Sequence, residues 1–249
     1  MEKYLTISVD DGHPKDVMMA DLLDKFSLEA TFYVPVKNPE REVMGKSDIR
    51  AIAQRFEIGG HTYNHKPLVG IPEKTVEKEV SDGKKYIEQM LGKKVISFCY
   101  PKGKFNASVA AVVQAAGFMG ARTCMFNLSG FPKKPYSLGV STHAYQHSKG
   151  IQIRHAILEM NIRGLIDFFR VQKGCVDWVN HFVYTVDHVD RNGGVAHLYL
   201  HSWEVDQLNE WKRLEDLLVF LSTKRDLKRI TNGELFRLLY ERREVHENR

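Results

Sequence analysis

Apolar and polar residues alternate along the chain with two periods that take turns from one end to the other. Short runs repeat every second residue, as half-buried strands do, and longer stretches repeat every third and fourth, as amphipathic helices do. Residues 3–9 open the series as a strand, with Leu5, Ile7 and Val9 on one face. A helix over 15–26 follows, with Pro14 near its start, then a strand over 30–35 closed by Pro35. Ser47 is placed to cap a helix over 47–55. Next come a short strand at 56–60, a charged helix over 72–91 interrupted at Gly83, and a strand over 95–101. Asn106 is placed to cap a helix ending at Gly117, and 118–122 reads as a strand. Helices are expected over 151–172 and 175–190, a strand over 194–203, a helix over 209–223, a short strand near 228–231 and a last helix.

Alternating β and α units predict an α/β fold with a mainly parallel sheet. No repeat or low-complexity linker divides the chain, so residues 1–249 are expected to form a single domain. In such folds the chemistry gathers at the C-terminal ends of the strands. Four strand ends carry unusual polar groups. Asp10 and Asp11 follow "LTISV", His61 and His65 follow "FEIGG", Tyr100 and Pro101 follow "VISF", and His201 follows "VAHLYL".

Composition narrows the setting. No apolar run approaches the ~20 residues that span a bilayer, so no transmembrane segment is expected. The start of the chain lacks a basic segment followed by an apolar stretch, and three cysteines in no framework spacing suit a reducing compartment. A cytoplasmic location is the resulting expectation. The net charge of +5 comes without an arginine-rich tract or nucleic-acid motif, so no nucleic-acid partner is expected. The charge fits an ordinary soluble protein or a basic rim for an anionic partner such as a phosphorylated sugar lipid. Oligomeric state is not fixed by the sequence.

Two adjacent carboxylates at a strand tip repel each other and are costly to bury unpaired. A cation would change that balance. His61 and His65, four residues apart, can present both imidazoles to one ion. Zinc with an open position takes about three protein ligands, and one of the aspartates can be the third. The other is then free to act as a base. The glutamate of HExxH zinc proteases is missing. One carboxylate and two imidazoles suit zinc, and also cobalt or nickel.

"SVDDG", "HTYNH", "FCYPKG" and "LYLHSW" resemble, in order and spacing, the motifs of the polysaccharide deacetylase family, also called carbohydrate esterase family 4 or the NodB homology domain. The resemblance implies a distorted, incomplete (β/α) barrel of about seven strands. It implies Asp10 as catalytic base, Asp11, His61 and His65 as metal ligands, a backbone N–H at Tyr100 as oxyanion donor, and His201 as general acid. Leu200 and Trp203 would line the acyl pocket with Pro101, and His13 would touch substrate or cap its loop. The implied activity is divalent-metal-dependent removal of an N-acyl group, most simply acetyl, from an amino sugar of a polysaccharide, oligosaccharide or glycolipid. The alternative is a catalytically silent carbohydrate-binding protein on the same scaffold. The third motif normally begins with an arginine that orients the base, and Cys99 stands there instead. Lys102 or Lys104 is the expected substitute cation. The carboxylate that tunes the general acid is expected from Asp177 of "VDWVN", or from Glu204 or Asp206 beside His201, with His197 as another neighbour.

Overall fold

Residues 2–247, described by a computed structural model, contain eight strands and ten α-helices. The first half runs β1 (Lys3–Asp10), α1 (Asp16–Lys25), β2 (Thr31–Val34), α2 (Lys46–Ile52), β3 (Glu57–Gly60), α3 (Glu73–Leu91), β4 (Ser97–Cys99), α4 (Ala107–Ala115) and β5 (Gly120–Arg122). The second half runs β6 (Thr142–His143), α5 (Lys149–Leu158), α6 (Ile162–Arg170), α7 (Trp178–Asn192), β7 (Gly194–Leu200), α8 (Ser202–Gln207), α9 (Trp211–Thr223), β8 (Lys228–Arg229) and α10 (Asn232–Glu247).

Seven strands lie side by side in the order β5-β4-β3-β2-β1-β7-β6, and β8 pairs with the first residues of β1. All the pairings are parallel. The sheet curls into an incomplete (β/α) barrel, as the sequence resemblance implied. Its open side, between β5 and β7, is spanned by residues 138–143. Leu138 bridges Arg122, and Thr142 and His143 pair with Leu198 and Tyr199.

β1 is central, and its two faces do different work. Leu5, Ile7 and Val9 are fully buried in the main core with Met19, Leu23, Leu214 and Leu218 from the covering helices. Thr6, Ser8 and Asp10 alternate with them and point to the barrel interior. Each meets a polar partner there: Thr6 donates to Asn232 at 2.9 Å, Ser8 meets His197 Nε2 at 2.9 Å, and Asp10 meets Arg122. A strand buried on both faces needs this second row satisfied, because an unpaired buried polar group costs ~1–3 kcal/mol.

Several boundaries differ from those expected. α2 starts at Lys46 with Gly45 at its N-cap, so Ser47 lies inside the first turn and caps nothing. The strand expected over 95–101 is confined to Ser97–Cys99, because the chain tightens into a 3₁₀ turn at Pro101. The single helix expected over 151–172 is two. Met160 turns at φ 51°, and Asn161 caps α6 by accepting from Gly164 N–H at 2.9 Å. Asp177 caps α7 and pairs with Arg213, and Trp178 donates to Glu210, so "VDWVN" serves the helix and not the candidate site.

The largest difference is at Gly83, where α3 runs unbroken. The glycine is there for close approach and not for a break. A Cβ at this position would lie 2.8 Å from the carbonyl carbon of Thr62. α3 thereby packs against the loop that carries His61 and His65. Gly83→Ala is therefore expected to lose ~1–3 kcal/mol by overpacking, despite alanine's better helix propensity, measured by urea unfolding; a variant as stable as wild type would show that the approach has slack.

Candidate active site

β1 ends at Asp10, and the next residue turns sharply, with Asp11 at φ 80°. Asp10 thus stays on the interior face while Asp11 swings out over the barrel mouth. The loop after β3 is held by similar means. Thr62 and His65 sit at φ 66° and 54°, a left-handed conformation that costs non-glycine residues free energy. α3 offsets this cost. Buried Glu79 accepts from both the backbone N–H and the side chain of Asn64, at 2.8 and 2.7 Å, and its carbonyl accepts from Tyr63 N–H at 2.9 Å. The two histidines are fixed by this frame.

Asp11, His61 and His65 converge. Asp11 Oδ1 is 3.0 Å from His65 Nε2 and 3.6 Å from His61 Nε2, and all three residues are buried. Their other atoms are partly committed. The Cys99 carbonyl accepts from His61 Nδ1 at 2.8 Å, which fixes the tautomer and leaves Nε2 its lone pair. Trp203 donates its indole N–H to Asp11 Oδ2 at 2.9 Å, leaving Oδ1 toward the imidazoles. Burial alone would raise the Asp11 pKa, but both histidines and His201 hold it far below the ordinary carboxylate range. One carboxylate oxygen and two imidazole nitrogens converging from fixed rings fit a divalent ion. Asp10, His61 and Cys99 also lie close enough to form a ligand group. That set fits less well, because burial pushes the Cys99 thiol up and its Sγ donates to Asp10 at 3.4 Å.

Asp10 is held by a residue that sequence reasoning missed. Arg122, at the end of β5, is fully buried and forms an ion pair with Asp10 Oδ2. Burial raises the Asp10 pKa, and the Arg122 charge overcomes this, aided by His61 and His201, to keep the carboxyl below its usual value. The other oxygen, Oδ1, is buried without a hydrogen-bond partner. Lys102, expected as the substitute cation, instead pairs with Glu40 at 2.7 Å on the exposed surface, and nothing ties Lys104 to Asp10. Cys99 and Arg122 are register partners on adjacent strands. The guanidinium therefore reaches Asp10 from one strand further along the sheet.

Across the mouth, His201 lies with Nε2 3.1 Å from the Tyr199 hydroxyl and 3.9 Å from Asp11 Oδ2. Its Nδ1 faces Glu204 Oε2 at 3.2 Å, and the same carboxylate oxygen meets His143 Nε2 at 2.9 Å. Burial lowers the His201 pKa, and Glu204 with the two aspartates more than reverses that, so it lies above the ordinary histidine value. Glu204, three residues on in α8, is thus the carboxylate at His201. Asp206 pairs with Lys15 at the surface, and His197 sits inside the barrel against Ser8.

The remaining expected residues divide. Trp203 is half-buried at the mouth, with Arg41 stacked 3.2 Å above its ring. His13 accepts from Lys15 N–H at 3.2 Å and so caps its loop. Leu200 is fully buried in the core and Pro101 is buried in its turn, so neither lines an open pocket. The Tyr100 N–H donates to the Arg122 carbonyl at 3.1 Å, which continues the β4–β5 ladder. It is spent there and does not serve as an oxyanion donor. Pro101 has no N–H, so the first amide available past β4 is that of Lys102, at φ 57°.

Residues 1–121 match a family model described as polysaccharide deacetylase. A peptidoglycan-N-acetylglucosamine deacetylase of Bacillus cereus is 29% identical over 119 residues, covering 47% of this chain and 54% of that protein, so the chain spans about half the length of the curated relative it matches. Among solved structures, a Mycobacterium smegmatis protein assigned to the polysaccharide deacetylases superposes with a TM-score of 0.66 at 16% identity, over 98% of this chain and 92% of that one. A family 4 carbohydrate esterase from Streptomyces lividans in complex with acetate gives 0.54 at 15% identity, over 88% and 90%. At these identities the structural matches speak to fold.

Arg122→Met strands a buried carboxylate and is expected to destabilise the protein by ~3–5 kcal/mol, measured by chemical unfolding. Lys102→Met, which breaks an exposed pair, should cost under ~1 kcal/mol. Equal losses would mean that the two cations share the task.

Proposed function

Through residues 1–121 the chain is recognised as a relative of the polysaccharide deacetylases, and from that premise we propose that it is a metal-dependent hydrolase removing an N-acyl group, most simply acetyl, from an amino sugar. The observation that carries the reading is the state of Asp10. One oxygen is anchored by a buried arginine, and the other is free beside the donor set of Asp11, His61 and His65.

Asp11, His61 and His65 would hold the ion, zinc as first choice with cobalt or nickel as alternatives. A bound divalent ion supplies Lewis acidity, polarising the acyl carbonyl and making a nearby water more acidic. The residues of the chain do the rest. Arg122 keeps Asp10 ionised and fixes Oδ2, so Oδ1 takes the proton as water attacks the acyl carbon. The Lys102 N–H, the first amide after Pro101, would steady the developing oxyanion. His201, held through Nδ1 by Glu204, delivers a proton to the departing nitrogen as the C–N bond breaks, because an amine leaves poorly as an anion. The products are a free amino sugar and a carboxylate. Trp203 bounds the acyl side of the mouth.

The silent-scaffold alternative drew its motive from Cys99 in place of arginine. Arg122 supplies that charge from the neighbouring strand, so this motive falls away.

The test is release of acetate from N-acetylglucosamine oligomers by metal-loaded protein, with lipid-linked and other N-acylated sugars assayed beside them. No release from any substrate with metal bound would sink the reading. Asp10→Asn is expected to keep the ion and lose ~10²–10⁴-fold in turnover, whereas His61→Ala and His65→Ala should lose zinc binding by titration calorimetry while staying folded. Loss of the ion in Asp10→Asn would mean that the roles of the two aspartates are exchanged.

A further inference from the structure

A dense group of exposed apolar side chains lies outside both the core and the catalytic mouth. α5 and α6 pack as a helical hairpin whose solvent side carries Ile157, Leu158, Met160, Ile162, Ile166 and Phe169, each between 44% and 85% exposed. Ile162, Ile166 and Phe169 recur at i, i+4 and i+7, which makes one stripe along α6. The opposite face of the same helix is buried through Gly164, Asp167 and Phe168. Exposed leucines and isoleucines scattered singly need no explanation, but a contiguous cluster marks a contact surface.

Charge decides the kind of contact. Between residues 149 and 173 the chain has Lys149, Arg154, Arg163, Arg170 and Lys173 against Glu159 and Asp167. Asp167 is turned inward, accepting from Ser129 Oγ at 2.8 Å and pairing with Arg163 at 3.0 Å. The apolar stripe is therefore bordered by an excess of positive charge. A second copy docking about a two-fold axis would set these cations against each other. A bilayer with anionic headgroups satisfies both features, because the acyl boundary accepts the stripe while phosphates accept the lysines and arginines. Helices of 10 and 9 residues are too short to span, so the hairpin would lie in the interface.

The hairpin begins at the catalytic end of the sheet, and α6 then runs toward the other end, where its Asp167 holds Ser129, the partner of Val195 at the start of β7. The hairpin follows β6, whose His143 shares Glu204 with His201. Phe126 stacks on His147 at 5.6 Å and lies the same distance from His155 of α5. We propose that the α5–α6 hairpin docks the protein on an anionic lipid surface. This goes beyond the deacetylase reading and does not depend on it.

Co-sedimentation of the full chain with vesicles tests the proposal. Vesicles of phosphatidylcholine alone are compared with vesicles of phosphatidylcholine mixed with phosphatidylglycerol, at low and high salt. Binding is expected to the mixed vesicles and to weaken with salt. The triple variant Ile162→Ser, Ile166→Ser, Phe169→Ser should weaken it by about tenfold for each anchor removed. Arg170→Gln and Lys173→Gln should each weaken it about fivefold. All five side chains are exposed, so folding should be retained, checked by circular dichroism and thermal melting, and acetate release from a soluble oligomer should be unchanged. The proposal is overturned by absence of binding to the mixed vesicles, by equal binding to both vesicle types at low salt, or by equal binding of the triple variant. Self-association of wild type that the triple variant loses, seen by analytical ultracentrifugation, would also overturn it and make a second copy the occupant.

Discussion

The candidate site depends on one buried ion pair, between Asp10 at the tip of β1 and Arg122 at the tip of β5. Neither charge is tolerable alone in that position. An isolated ion in a low-dielectric interior is destabilising by several kcal/mol, and even a good pair only about breaks even against apolar packing. The pair is therefore a poor device for stability and a good one for placement. It ties the central strand to the strand at the far edge of the sheet, across the barrel interior. It also commits one Asp10 oxygen and leaves its twin uncommitted. Stacking of the Arg122 guanidinium 4.3 Å over the Tyr199 ring extends the same tie to β7.

Much of the architecture was legible because it follows from periodicity. The alternation of β and α units gave the parallel sheet, and the strand-end rule picked out Asp10, Asp11, His61, His65 and His201, which the fold gathers at one mouth. Helix breaks were less legible, since local signals compete there with tertiary contacts. Gly83 reads as an interruption on propensity, yet its reason is the backbone of Thr62, some twenty residues away and invisible to a local window. Asn161 is an ordinary N-cap signal that was absorbed into a longer periodic stretch.

Arg122 was missed for a different reason. Its signal was present: a charged residue ending the short apolar run "FMGAR" is the same anomaly as Asp10 after "LTISV". The resemblance points instead to position 99, where the family carries its arginine, and the cations nearest to it in sequence are Lys102 and Lys104. The fold uses nearness across the sheet, and Cys99 and Arg122 are opposite each other in the β4–β5 register. A guanidinium can approach the same carboxylate from either strand, since neighbouring strands stand only ~4.8 Å apart. What the chemistry needs is a cation at a place, and two sequence positions can supply it. Tyr100 illustrates the converse. It follows a strand end as expected, but its N–H is claimed by the ladder to Arg122, a fact that only register reveals.

Three carboxylates close in sequence show how far environment decides role. Asp10, Asp11 and Asp16 are all buried, and burial raises the pKa of each. For Asp10 a guanidinium reverses the effect. For Asp11 two imidazoles do so. Asp16 has only the Ser202 hydroxyl and a backbone contact to His13 to set against the nearby charges of Asp10 and Asp11, so its pKa stays well above the usual value. Identical side chains thereby become two carboxylates held toward the ionised form and a third pushed toward the protonated form, which bridges α1 to the start of α8. The upward shift of Asp16 matters to the other two. A third negative charge behind them would weaken the hold of Arg122 on Asp10 and of the imidazoles on Asp11, so disfavouring the charge on Asp16 and favouring the charges on Asp10 and Asp11 are two sides of one coupling.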